Sequence, residues 1–200
     1  MHHCEDRACV DTRTKLLLAA REAFVAEGYR ASVDGIAARA GVAKQTLYNH
    51  FPSKEELFIE VVSLGSASIV VMLDGAGDDL RRSLLHFAKS FRQRALEDDS
   101  LAMLRILTAE INRLPELTQA FFTKGPGQTL ERLAEFLSAA MTKGELRREA
   151  PRFAAEMLIG MLLNIDFVRC QCAISMDEEG EDQRCEQIVE CFLRAFAPQA

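Results

Sequence analysis

Residues Val33–Phe51 read V-D-G-I-A-A-R-A-G-V-A-K-Q-T-L-Y-N-H-F, two short segments of helical spacing hinged on Gly41. Ile36, Ala37 and Ala40 make the inner face of the first segment, and Val42 plugs the turn. Leu47 and Phe51, four apart, point back at an apolar stripe of Leu16, Leu17, Ala20, Ala23 and Phe24 in the preceding segment. Helices this short are not stable alone, so the spacing predicts a helix-turn-helix packed on a third helix. The outer face of the second segment then carries Lys44, Gln45, Thr46, Tyr48, Asn49 and His50. Packing does not demand polar groups across a whole face. Gln and Asn can pair with adenine edges, Lys with guanine, and Thr, Tyr and His with phosphate.

The rest of the chain keeps the helical period. Gly28 suits the end of the first helix, and Ser32 suits the N-cap of Val33–Ala40. Pro52-Ser53-Lys54-Glu55-Glu56 opens a helix expected over about 53–73, with Ser53 as its cap and two acids in its first turn. Asp74–Asp78 is the clearest interior break. Later helices are expected over 79–97, 100–114, 115–123, 127–142, 151–175 and 181–196, with Pro115 and Pro151 at first turns. No strand signal and no internal repeat stands out. The expected fold is all-α: a head over 12–54, a body over 55–200, and the 53–73 helix linking them.

Net charge is −6 over 200 residues, which taken whole argues against a nucleic-acid partner. The distribution reverses that. Residues 1–54 hold 8 Lys+Arg against 6 Asp+Glu, a net +2, and residues 55–200 carry −8. Such a chain presents its head to phosphates and keeps its body away. No apolar run is long enough to span a bilayer, and no signal peptide is visible, so a soluble cytoplasmic protein without a membrane partner is expected.

The stretch Thr14–Leu57 resembles the DNA-binding domain of the TetR family of repressors. The matching elements are A-A-x-x-A-F-x-x-x-G-Y (Ala19–Tyr29), I-A-x-x-A-G-V-A-K-x-T-L-Y-N-H-F (Ile36–Phe51) and P-S-K-E-E-L (Pro52–Leu57). The segment Ala109–Gly127 also looks like one C-terminal subgroup of that family. The resemblance implies that Lys44, Gln45 and Asn49 face bases in the major groove. Ser32, Thr46, Tyr48 and His50 grip phosphates, and Lys54 adds a further phosphate contact. One departure is that Glu5, Asp6 and Asp11 dilute Arg7 and Arg13, where many relatives carry a basic arm.

A repressor on a pseudo-palindromic operator needs two heads, so a homodimer is expected. The stripes Phe153, Met157, Gly160, Met161, Asn164 and Val168, and Ile188, Cys191, Phe192 and Ala195, recur at three and four and suit a four-helix interface. The linking helix and the helices at 79–123 would enclose an effector pocket lined by Phe87, Phe91, Met103, Leu107, Ile111, Phe121 and Phe122, fitting an apolar or amphipathic small molecule. For each of these, ordinary core packing is the competing expectation.

Six cysteines offer a second theme. Cys170 and Cys172 lie about 200° apart on a helix, so they cannot chelate together. Cys170 and Cys185 could lie level across the last hairpin. Buried spectator thiols, a redox switch or a soft-metal switch all remain open for Cys170, Cys172, Cys185 and Cys191. Met1-His2-His3 has the donors of a square-planar Cu(II) or Ni(II) site, against the plainer expectation of a disordered tail. His86 is expected on a helix surface or at the pocket's edge. No nucleophile elbow, phosphate-binding loop, zinc-protease or dinucleotide pattern is present, and Asp166 and Glu156 lack a partner at useful spacing. Neither an enzyme, a cofactor nor a dedicated metal site is expected.

Overall fold

Four helices build the first of two units in the computed structural model, which describes residues 11–63, 79–174 and 180–198. Helix α1 (Thr12–Glu27) ends at Gly28 and passes into a 3₁₀ turn over Gly28–Arg30. Helix α2 (Val33–Ala40) starts where Ser32 Oγ accepts the Gly35 N–H at 3.0 Å. It stops at Gly41, whose φ of 70° is the left-handed conformation that only glycine adopts without strain. The Val42 N–H closes that turn on the Ala37 carbonyl at 3.0 Å. Helix α3 (Lys44–His50) follows at once. Helix α4, described over 54–63, is capped by Ser53, whose Oγ accepts the Glu56 N–H at 3.0 Å.

The inner faces of these helices meet in one core. Leu16, Phe24, Ile36, Leu47, Phe51, Leu57 and Phe58 are at most 1 % exposed. Phe58 stands edge-on to Phe24 and Tyr29, with ring centroids 4.9 and 5.4 Å apart. That packing draws α4 into the first unit as far as Val61, beyond the break expected after residue 54. The linking helix expected to reach residue 73 lies outside the described residues past 63, as do Met1-His2-His3, Cys4 and Cys9.

The second unit is also helical throughout its described residues. Helix α5 (Leu80–Ala95) is capped by Asp79, and α6 (Asp98–Glu110) carries Asp98 and Asp99 in its first turn. Helices α7 (Pro115–Lys124), α8 (Pro126–Thr142) and α9 (Pro151–Gln171) each open on a proline, and α10 is Glu181–Ala195. The core joins Leu84 and Phe87 of α5, Leu133 and Leu137 of α8, Ala154, Leu158 and Leu162 of α9, and Val189 and Phe192 of α10.

Two departures from the expected boundaries have local causes. Helix α6 ends four residues early, in a turn where the Arg113 and Leu114 amides both return to the Glu110 carbonyl. Helix α9 is not continuous: Asn164 sits at φ 34°, ψ −142° and kinks it, and the helix stops at Gln171. A non-glycine residue at positive φ costs on the order of 1–3 kcal/mol unless its surroundings hold it there. Here Asn164 Oδ1 accepts the Asp166 N–H at 3.0 Å, and Asn164 Nδ2 donates to the Met161 carbonyl at 3.1 Å.

Candidate nucleic-acid interface and effector groove

Helix α3 presents one buried side chain, Leu47, which fixes its rotation. Lys44, Gln45, Tyr48, Asn49 and His50 are left exposed, with Thr46 half-buried among them. Gln45 Nε2 donates to Asn49 Oδ1 at 3.1 Å. That bond leaves the Gln45 carbonyl oxygen and the Asn49 amide hydrogens available. Lys44 is not free. Its ammonium lies 3.0 Å from Asp34 of α2, and the Asp34 hydrogen bond and charge raise its pKa above the ordinary value. The sequence reading missed Asp34, which sits ten positions upstream with no spacing signal.

The flanking residues are also occupied. Ser32 uses its oxygen as an acceptor for α2, and its hydroxyl hydrogen remains a donor. Lys54 donates to the Tyr29 carbonyl and stands 4.5 Å from the centre of the Tyr29 ring. The Tyr29 hydroxyl in turn donates to Glu55 at 2.9 Å. Glu55 is held below its ordinary pKa by its own backbone amide at the start of α4 and then by this phenol. Lys54 therefore ties α4 to the 3₁₀ turn as well as standing beside the head's outer surface.

In the second unit the residues expected to line a pocket separate into two groups. Phe87 and Phe91 stack at 5.4 Å inside the core, while Met103 and Leu107 are buried on α6. Phe121 is half-buried. Ile111 and Phe122 point outward, 50 % and 53 % exposed, because α6 has ended before Ile111 and Phe122 lies on the outer side of α7. Phe122 edges a shallow groove that also holds Gln128, Glu131 and Arg152.

A larger groove lies elsewhere, between α5, α6, the end of α9 and the start of α10, with a volume of about 790 Å³. Its floor is Arg92, 2 % exposed. The guanidinium forks onto Glu181, Nε to Oε2 and Nη2 to Oε1, both at 2.9 Å. Nη2 also reaches Asp166 at 3.1 Å, and Nη1 donates to the Leu162 carbonyl at the α9 kink. Burial alone would lower the Arg92 pKa, but the two carboxylates outweigh it and raise it. Asp166, 1 % exposed, is further paired with Arg169 and Arg184. This explains the acid that looked unpartnered on an apolar helix. Glu156 is exposed and paired with Arg152 at 3.2 Å.

Cys170 and Cys185 both line this groove, and burial pushes both thiols above their ordinary pKa, away from the thiolate a redox or metal switch needs. Cys172 and Cys191 are exposed. Among the described residues no group of three or more His, Cys, Asp or Glu side chains is placed to hold a metal ion. His86 is exposed on α5.

The expected dimer stripe on α9 faces outward. Phe153, Met157 and Val168 are 47 %, 43 % and 51 % exposed, Gly160 and Asn164 are exposed beside them, and Met161 is half-buried. Ile165, 55 % exposed, adds to this face. On α10, Cys191 and Ala195 are exposed and Ile188 is half-buried. Phe192 departs from the expectation: it is fully buried, its ring 4.6 Å from Phe196, because Cys185, Val189, Phe192 and Phe196 form the inner stripe of α10.

A helix-turn-helix head with a polar, exposed second helix, joined to a helical body, defines the class of helix-turn-helix transcriptional regulators. Residues 16–61 match the family described as bacterial regulatory proteins, tetR family, and residues 82–198 match the AefR-like transcriptional repressor, C-terminal domain. The chain belongs to the TetR family of transcriptional regulators, whose fold and members are non-enzymatic. A structure of a TetR-family regulator described from Mesorhizobium loti MAFF303099 superposes with a TM-score of 0.80 at 28 % identity, covering 96 % of this chain and all of that one. The flavonoid-responsive regulator FrrA superposes with a TM-score of 0.76 at 30 % identity, covering 94 % of this chain and 98 % of its own. The HTH-type transcriptional activator FasR of Mycolicibacterium smegmatis is 53 % identical over 53 residues, 26 % of this chain. That match spans only 24 % of FasR's length. Among the described residues no helix is long and apolar enough to cross a membrane.

Proposed function

We propose that this chain is a repressor that binds a pseudo-palindromic operator as a homodimer and leaves it when a small molecule occupies the body. The observation that carries the reading is the outer face of α3, where five exposed polar side chains surround one buried anchor. Lys44, Gln45 and Asn49 are assigned to base edges, and Ser32, Thr46, Tyr48, His50 and Lys54 to phosphates. Dimerisation is supported by the outward apolar face of α9, which no described part of the chain covers. Repression is supported by the description of the family matching residues 82–198, even though the head is similar to that of a protein named as an activator. Ligand release draws on the family and on FrrA, described as flavonoid-responsive.

Selection of bound sequences from random DNA, followed by a gel shift on the winner, tests the first part. The expected product is a two-fold site bound by two chains, with half-sites about 34–36 Å apart. Recovery of no sequence preference would defeat it. Transcription in vitro from a promoter carrying that site then fixes the sign, and stimulation by the protein would overturn repression.

A further inference from the structure

We infer that the groove over Arg92 is an effector site for an amphipathic carboxylate, whose head group takes the place that Glu181 now holds on the guanidinium; this rests on the ligand-release reading above. A planar guanidinium matches a carboxylate two bonds at a time. The Arg92–Glu181 fork is that geometry made with a side chain of the protein's own. Glu181 is the first residue of α10 and is 34 % exposed, whereas Asp166 on the other side of Arg92 is 1 % exposed. The outer carboxylate is thus the replaceable one, and the inner one is structural.

Charge and shape agree with this. The buried Arg92 and the part-exposed Arg169 and Arg184 set three guanidinium groups against the carboxylates Asp166 and Glu181; of the other acids lining the groove, Asp182 is paired with Lys89 and Glu97 with Arg94, and Asp98 also lines it. Arg105 adds a cation at the groove's edge. Its guanidinium donates to the Cys170 carbonyl at 2.9 Å, and among the described residues it has no carboxylate partner. Between these cations the walls are aliphatic: Leu96, Leu101, Ala173 and Ile174, the last 56 % exposed. An anionic head with an apolar body satisfies both parts, while an uncharged apolar ligand would leave the guanidinium with Glu181.

Occupation would reach the outward face of α9. Arg92 also holds the Leu162 carbonyl, one half of a pair that in an unbroken helix would bond to the Asp166 amide. A ligand that draws Arg92 outward changes what supports the kink at Asn164, which lies on the exposed stripe with Gly160 and Ile165.

The test is calorimetric titration of the full chain with decanoate, below its micelle concentration, against decanol. Decanoate is expected to bind and decanol to bind about tenfold more weakly or not at all, the worth of one charge-assisted contact. Glu181→Gln removes the internal competitor and is expected to tighten decanoate about tenfold. Arg105→Gln is expected to weaken it by a similar factor and, lying on the surface, keeps the test independent should Glu181→Gln unfold. Melting curves check both variants. Equal affinity for decanol, or decanoate affinity unmoved or weakened by Glu181→Gln in a folded chain, overturns the site. A parallel titration of the operator complex separates the two ideas: binding that follows these rules without DNA release keeps the site and removes ligand release.

Discussion

Gly160 offers the sharpest test of the dimer. It lies within α9 on the exposed stripe, and a Cβ built there meets no atom within 4 Å. In an isolated chain Gly160→Leu therefore has room. It replaces the poorest helix former but proline with a good one, a gain of about 0.5–1 kcal/mol. If a partner helix packs on this face, the same side chain is forced into an interface fitted to a glycine. Overpacking costs about 1–3 kcal/mol per site, and two-fold symmetry places the change on both copies. The total is about 2–6 kcal/mol, or about 30-fold to about 10⁴-fold in the dimer's Kd. Sedimentation equilibrium gives the Kd, and thermal melting at low concentration gives the monomer's stability. The expected result is a weaker dimer built from a monomer at least as stable as before. An unchanged Kd together with a raised melting temperature would show that α9 faces water there, and the interface would have to lie elsewhere.

Other outcomes follow from the head. Gln45→Ala is expected to cost about 1–3 kcal/mol on the operator and relax preference at one base pair per half-site, whereas Tyr48→Phe is expected to weaken specific and non-specific DNA alike; a base-substitution panel that showed the reverse would exchange their roles. Because Gln45 bonds to Asn49, the Gln45→Ala and Asn49→Ala costs are expected to be non-additive by about 0.5–3 kcal/mol in a double-mutant cycle. Leu47→Ala empties the only buried position of α3 and is expected to cost about 2–5 kcal/mol of the head's stability, read by urea unfolding. Glu55 has a folded pKa below its ordinary 4.5, so its contribution is present above that value and fades as pH falls through the depressed one; Glu55→Gln should lower the urea midpoint at neutral pH and converge with the unaltered chain in strong acid.

The head was legible because its determinants are local. Ser32, Gly41 and Ser53 act within three or four residues, and Leu47 and Phe51 meet a stripe one helix away. The helices of the second unit were legible for the same reason, with Pro115 and Pro151 marking starts. The groove was not. Arg92 and Glu181 are 89 residues apart, and nothing in either neighbourhood names the other. Asp166 drew notice as an acid on an apolar helix, but its three arginine partners come from the same helix turn and from two other helices. Phe87 and Phe91 fit a core and a pocket by composition, with core the plainer expectation, and the fold buries them in the core. Phe192 shares a period with Cys191 and Ala195, yet one residue step turns a side chain about 100° around a helix.

The kink in α9 divides one helix into two mechanical pieces. Up to Leu163 the helix lies on α8 through Ala154, Ala155 and Leu158, while beyond Asn164 it is held by the arginine cluster. The joint is closed by an amide side chain rather than by backbone bonds alone, so a rotamer change at Asn164 frees the Asp166 amide without unwinding either half. Hydrogen exchange across α9 should then follow two separate opening energies instead of one. The outward stripe crosses the joint, and a partner bound along its whole length would act as a splint, coupling two segments that the lone chain leaves independent.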